Sequence, residues 1–291
     1  LTRKISSDID NPIWLSIRVC VYNYNKQYKS AMGDLDLLES KFGKTKLSLY
    51  QRSICYSNLY EFTNEIECLD SLISLLGNDA GAYLYYTRAL AYRNKGDITN
   101  AMLNFDKALE IYPTDCFTLL QRGITNYNVK KYESALSDYN KAITYSIDAN
   151  AQIYLHRGRT FYALGDTVSA KKDFEMVLQL DSVSTNYAFA LVHLGEKQKA
   201  IDFMKLLVEK EPENELHFYD LACIYALANM KKESAETLKR SVELGFTAYQ
   251  YISLDPDLES IRDEEDYKES LEMIKNEYLS KLLNNFINQK N

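Results

Sequence analysis

The sequence predicts an all-α solenoid of stacked helical hairpins closed by helices at its C-terminal end, and three observations predict it. Small and large apolar residues recur in register along most of the chain; their offsets within each recurrence trace one face of a helix; and turn signals divide several periods into two helical stripes. The small-residue register holds Ala31, Glu65, Ala101, Ala135, Ala170, Ala200 and Ser234, in steps of 34, 36, 34, 35, 30 and 34 residues. Four residues on stand Leu35, Leu69, Phe105, Tyr139, Phe174, Met204 and Leu238, and three further on Leu38, Leu72, Ala108, Ala142, Val177, Leu207 and Ser241. Composition agrees: 10 Gly and 4 Pro in 291 residues favour long helices joined by short turns.

In chain order, the predicted hairpins cover residues 12–45, 46–79, 82–115, 116–149, 151–184, a shortened one at 185–214, and 215–248, within an array spanning 1–248. The first opens with "NPIWLSIRVCVYNYN", which lacks an evident polar cap. The second and seventh depart most from the pattern, because Glu65 and Ser234 stand where alanine recurs. The third, fifth and sixth carry turn signals, "NKGD" at Gly96, "ALGD" at Gly165 and "HLGEK" at Gly195. The sixth is about one helical turn short, which predicts a clipped first helix. After Phe246, Pro256 breaks the period, and Tyr267, Leu271, Ile274, Tyr278 and Leu282 then recur at helical spacing. Residues 249–291 therefore read as capping helices over the apolar face of the last hairpin. The acids around "DPDL", Asp255 and Asp257 among them, lack the ligand spacing of a calcium loop and read as a solvated turn.

An arginine precedes the small-residue column by 13 residues in five successive periods: Arg18, Arg52, Arg88, Arg122 and Arg157. Sixteen residues after each stand Asp34, Cys68, Asn104, Asp138 and Asp173. Residues equidistant from a hairpin turn face each other, so Arg18 with Asp34, Arg122 with Asp138 and Arg157 with Asp173 are expected to form structural struts, because buried charges are normally paired. Arg52 and Arg88, facing Cys68 and Asn104, are the weakest struts and the candidates if any arginine is free for a ligand.

The stretch "AYLYYTRALAYRNKGDITNAMLNFDKALEIYP" resembles the tetratricopeptide repeat family, with Tyr85, Ala89, Tyr92, Ala101, Phe105, Ala108 and Pro113 on that family's pattern; the resemblance extends over residues 12–248. It implies a right-handed superhelix in which the first helix of each hairpin lines a concave side. The groove residues so implied are Tyr50, Tyr83, Tyr86, Arg93, Phe117, Tyr127, Arg159 and Tyr162. Chaperone adaptors of the family grip a terminal carboxylate with lysine, asparagine and arginine at positions that here carry Tyr86, Leu90, Gln121, Gln152 and His156, so that clamp is not reproduced. The "DPDL" stretch resembles segments that close bacterial arrays, and abundant Tyr, Asn and Lys likewise suggest a bacterial source.

A net charge of -7 and a sequence pI near 5.2 disfavour nucleic acid and anionic membranes as main partners, since both need a basic face. No stretch reads as a membrane span. The five cysteines include no CxxC pair and fall in helical segments, so a disulfide framework is not expected; Cys55 to Cys68 is the one conceivable bridge. The chain starts at Leu1 rather than methionine, which reads as loss of an upstream segment, and the compartment is cytoplasmic or, if a signal was removed, extracytoplasmic. The three histidines, His156, His193 and His217, stand in different hairpins, and no phosphate loop, nucleophile elbow or zinc motif occurs. The expectation is a non-catalytic scaffold without cofactor or metal, binding a protein or peptide on a tyrosine-rich groove. The alternatives are a self-associating module, a homodimer with Trp14 in its interface, and a receptor for a sugar or other small molecule.

Overall fold

The computed structural model describes residues 11–288, with side chains described to Asn276 apart from Gln250; Tyr278 and Leu282 of the expected cap lie outside that range. The chain divides into two compact units, one ending at Pro113 and one beginning at Thr114. In the first, α1 (Pro12–Tyr24) pairs with α2 (Tyr28–Phe42), α3 (Lys46–Asn58) with α4 (Phe62–Leu76), and α5 (Ala82–Lys95) with α6 (Ile98–Ile111). In the second, α7 (Cys116–Asn128) pairs with α8 (Tyr132–Tyr145), α9 (Ala151–Ala163) with α10 (Thr167–Leu180), α11 (Thr185–His193) with α12 (Lys197–Lys210), and α13 (Glu215–Leu227) with α14 (Lys231–Glu243). It ends with α15 (Tyr249–Leu254), a 3₁₀ helix (Pro256–Ile261) and α16 (Glu265–Asn288), which packs on α14. No strand occurs among the described residues.

The recurring columns are the core. Ala31, Ala101, Ala135, Ala170 and Ala200 are all but sealed from solvent, as are Glu65 and Ser234, the two departures from alanine. Ser234 satisfies itself by donating to the Ala222 carbonyl at 2.7 Å, whereas Glu65 keeps Oε2 without a partner. Both hairpins form nonetheless, because the large apolar residue one turn on, Leu69 or Leu238, is fully buried in each. The shortened period falls on α11, which has nine residues where α9 and α13 have 13. Small side chains admit close helix approach: a Cβ on Gly123 would stand 2.5 Å from the Tyr139 ring.

Every hairpin turns the same way. Lys26, Tyr60, Gly96, Lys130, Gly165, Gly195 and Asn229 all have positive φ, from 57 to 90°. The next residue's amide then donates to the carbonyl five residues back, as Asp97 to Tyr92 at 2.8 Å and Lys131 to Asn126 at 2.8 Å. This is the Schellman closure of a helix C-terminus, and it satisfies carbonyls the first helix would otherwise leave open. Three of the seven positions are glycine. A left-handed backbone costs an L-residue about 1–2 kcal/mol, so Lys130→Gly is expected to raise stability by about 1 kcal/mol. An unchanged urea midpoint would show that the Lys130 side chain compensates for its backbone.

Second helices start on capping side chains where the sequence supplies them, as Asp97 accepting from the Asn100 amide at 3.1 Å and Asp166 from that of Ser169 at 3.0 Å. All five cysteines are free, and Cys55 donates its thiol to Asn23 at 3.0 Å rather than bridging to Cys68. At the cap, Tyr267, Ser270 and Ile274 of α16 are buried at offsets of 0, 3 and 7, and Lys239 of α14 meets Asp266 and Glu269 at 3.3 and 2.6 Å.

Candidate functional site

The arginines sit on the first helices, and their partners lie on second helices. Arg18 meets Asp34 through Nε and Nη2, both at 2.5 Å; Arg122 meets Asp138 at 3.0 and 2.6 Å; Arg157 meets Asp173 at 2.8 Å through each. These are two-pronged, charge-assisted contacts with buried carboxylates. Arg52 and Arg88, the weakest struts by sequence, are paired as well and are not free for a ligand. Cys68 offers Arg52 no charge, so its guanidinium turns to the preceding hairpin and meets Asp36 at 2.9 Å and Glu39 at 3.1 Å. Arg88 donates to Asn104 at 2.8 Å and reaches Asp70 of the preceding hairpin at 2.5 Å. Arg157 likewise donates to Asn140 of the hairpin before its own at 2.9 Å.

In the first unit, α3 and α5 carry Leu47, Tyr50, Tyr83, Tyr86 and Arg93. Leu47 and Tyr83 are 47% and 58% exposed. The Tyr50 and Tyr83 hydroxyls are hydrogen-bonded, which, with burial, pushes the Tyr50 phenol up to about 12. Tyr86 lies half-buried between the rings of Tyr83 and Phe105, with centroids 6.1 and 6.5 Å away. Arg93 is half-buried beside Asn94. The first unit thus gathers aromatic rings with polar tips on neighbouring first helices.

The second unit is different. Phe117 and Tyr162 are 60% and 56% exposed, but Tyr127 and Arg159 are covered. Arg159 of α9 pairs with Asp257 of the 3₁₀ helix, 98 residues away, and its guanidinium lies 5.4 Å from the Tyr127 ring and 5.9 Å from that of Phe189. Arg159 is therefore not an open groove residue, and Asp257 is not part of a solvated turn. Tyr219 of α13 donates to Asp255 at 2.5 Å, and Leu258 and Ile261 are fully buried. Burial, with the neighbouring carboxylates Asp255 and Asp257, pushes Asp220 up to about 7 against a hydrogen bond from Thr185. Burial likewise raises Asp257 despite Arg159. Burial and Arg159 hold His193 down at about 3, so its imidazole is neutral and stacks on Phe174 at 4.8 Å. Sequence reasoning missed Asp255, Asp257, Tyr219 and Asp220 as one cluster; the signal available was Leu258 and Ile261, apolar residues three apart amid the acids.

Cys223, Asp255 and Asp257 bring donor atoms within 4.8 Å of one another. A cation already stands there, since Arg159 holds Asp257, while Asp255 accepts from Tyr219 and from the Asp257 amide at 2.9 Å. His156 lies against Tyr139, His193 against Phe174, and His217 beside Glu211 at 3.8 Å, each on a different helix. No described helix is long and apolar enough to cross a membrane.

Residues 82–115 match the tetratricopeptide repeat family. Among curated proteins, the chain is 24% identical over 176 residues to a BBSome complex member BBS4 homolog of Drosophila melanogaster, covering 56% of this chain and 36% of that one. It is 24% identical over 194 residues to a tetratricopeptide repeat-containing protein of Methanocaldococcus jannaschii, covering 61% and 32%. The chain thus spans about a third of the length of these relatives. Among solved structures, the C-terminal part of a tetratricopeptide repeat-containing protein from Cytophaga hutchinsonii matches with a TM-score of 0.53 at 17% identity, over 85% of this chain and 98% of that one. The type IV pilus biogenesis factor PilW matches with 0.55 at 17% identity, over 69% and 94%. These likenesses are of fold, and relatives from an insect and an archaeon do not assign a bacterial source. With the repeated columns buried in hairpin after hairpin and a family match on the third of them, residues 82–115 are a tetratricopeptide repeat and the chain as a whole is similar in fold to proteins built of such repeats.

Proposed function

We propose that the chain is an interaction scaffold that binds a peptide or protein segment on the aromatic faces of its first helices. Tetratricopeptide repeat proteins generally mediate protein–protein interaction. The observation that carries the finer reading is the uncovered surface of α3 and α5, where Leu47 and Tyr83 are about half exposed beside Tyr50, Tyr86 and Arg93. Tyrosine supplies contact area and a polar tip with few rotamers to lose, and with arginine it dominates interface hot spots. Phe117 and Tyr162 extend the set on the second unit. Tyr127 and Arg159 are covered in this structure and so are not part of the open surface. The test is affinity capture from the native source with a folded Tyr83→Ala, Tyr86→Ala variant. Loss of a partner that the wild type retains, by tenfold or more, is expected; equal recovery would move the site off these helices.

Self-association has one observation in its favour. The outward face of α1 presents Ile13, Ile17, Val21 and Tyr24, all exposed, and Leu47 borders them. A helix apolar on both sides is usually covered on both. Trp14 is not among the residues lining this patch and is half-buried. Light scattering over a hundredfold range of concentration decides: a growing mass supports pairing through α1, and a constant monomer removes it.

A further inference from the structure

The contact between residues 255–261 and the second unit's hairpins has the form of a peptide on its receptor. One short stretch supplies every ligand group: the carboxylates of Asp255 and Asp257 and the side chains of Leu258 and Ile261, both fully buried. First helices supply the polar complement, and the segment packs on α13 and α14. Arg159 of α9 is held between the rings of Tyr127 and Phe189, and Tyr219 of α13 points its hydroxyl at Asp255. Arg159 takes its carboxylate from this segment, so lifting the segment away removes that ion pair. A guanidinium opened between two aromatic rings is a good seat for another carboxylate able to reach it. The face is also of the type that the proposed function assigns to partners, and this inference rests on that reading.

We propose that the face formed by α9, α13 and α14, with Tyr127 of α7 and Phe189 of α11 flanking Arg159, is a receptor for an acidic segment of the pattern Asp-x-Asp-Leu, occupied in cis by residues 255–261, which a partner carrying the same pattern must displace. The charge supports this occupant. Two acids meet one arginine and one tyrosine hydroxyl, and the apolar side chains that follow are buried beside them. A basic or purely apolar segment would leave Arg159 unpaired. The cis segment then acts as a built-in competitor that keeps weak ligands off.

The probe is a labelled peptide of residues 253–261, SLDPDLESI. The full chain and its Asp257→Asn variant, which keeps the size of the side chain but removes its charge, are titrated with it. The variant is expected to bind at least tenfold more tightly than the wild type, and a peptide with both aspartates replaced by asparagine is expected not to bind. A folded variant that binds no better than the wild type overturns the proposal and leaves residues 255–261 a structural cap only. Should the variant not fold, amide exchange on the wild type decides. Excess peptide is expected to accelerate exchange in 255–261 by trapping the opened segment, and no acceleration overturns the proposal. The peptide titration reads Arg159 in the second unit and the affinity capture reads the first-unit surface, so failure here and failure of that surface are told apart.

Discussion

Asp138→Ala is expected to lower the unfolding free energy of the second unit by about 3 kcal/mol. The Asp138 side chain is 5% exposed, takes both prongs of Arg122, and accepts a further bond from Asn126 at 3.2 Å. Removing it leaves a part-buried guanidinium whose bonds were built for a planar acid. Asp36, which meets Arg52 with a side chain 71% exposed, provides the contrast: Asp36→Ala is expected to cost under about 1 kcal/mol, because water replaces a partner there. Urea unfolding of both variants checks the pair. A double variant, Arg122→Met with Asp138→Leu, is expected to recover most of the loss, since apolar residues of similar size replace a buried pair without stranding either charge. Equal, small losses for Asp138→Ala and Asp36→Ala would mean that Arg122 finds solvent without cost and is no strut.

Glu65→Met is expected to stabilise the first unit at pH 8 and to do little at pH 4. Glu65 stands in the alanine column, 1% exposed, with Oε2 unpartnered. Burial pushes its carboxyl up to about 7 from 4.5, opposed by a hydrogen bond from Ser57. Because the folded value is raised, the favourable state is the protonated one. Stability is fully present below about pH 4.5 and is lost as pH rises through 7. Ionising a carboxyl displaced that far costs about 3 kcal/mol, which sets the upper size of the gain at pH 8. Thermal melts of wild type and variant from pH 4 to pH 8 are the measurement, and parallel curves would place the Glu65 charge in contact with water.

The period of the array could be read from the sequence because each hairpin repeats the same local problem. One small residue, one large one and one turn must recur wherever two helices pack and reverse, and Ala101, Phe105 and Gly96 state that arrangement openly. The turn at Lys130 follows from the midpoint of Arg122 and Asp138, but the left-handed backbone there and at Lys26, Tyr60 and Asn229 was not legible, because packing of the hairpin imposes it on residues that do not prefer it. The facing of Arg122 and Asp138 followed from hairpin symmetry alone. Arg52 escaped that symmetry once Cys68 stood opposite, and it turned to the neighbouring hairpin instead. Arg159 with Asp257 lay furthest from view, since 98 residues separate them and nothing local in either stretch calls for the other. Periodicity places a side chain on a face, but it does not say when a later segment returns to cover that face.

The arginines that reach backwards have a consequence for how each unit comes apart. Arg88 ties its own hairpin, through Asn104, to the one before, through Asp70, and Arg157 does the same through Asp173 and Asn140. A hairpin of this kind gains part of its stability only when its predecessor is already folded, a nearest-neighbour coupling in a one-dimensional array. Fraying from an end therefore removes a coupling as well as a hairpin, and it makes a half-melted unit less favourable than either an intact or a fully open one. Repetition supplies the hairpins, and the shared guanidinium makes them melt together.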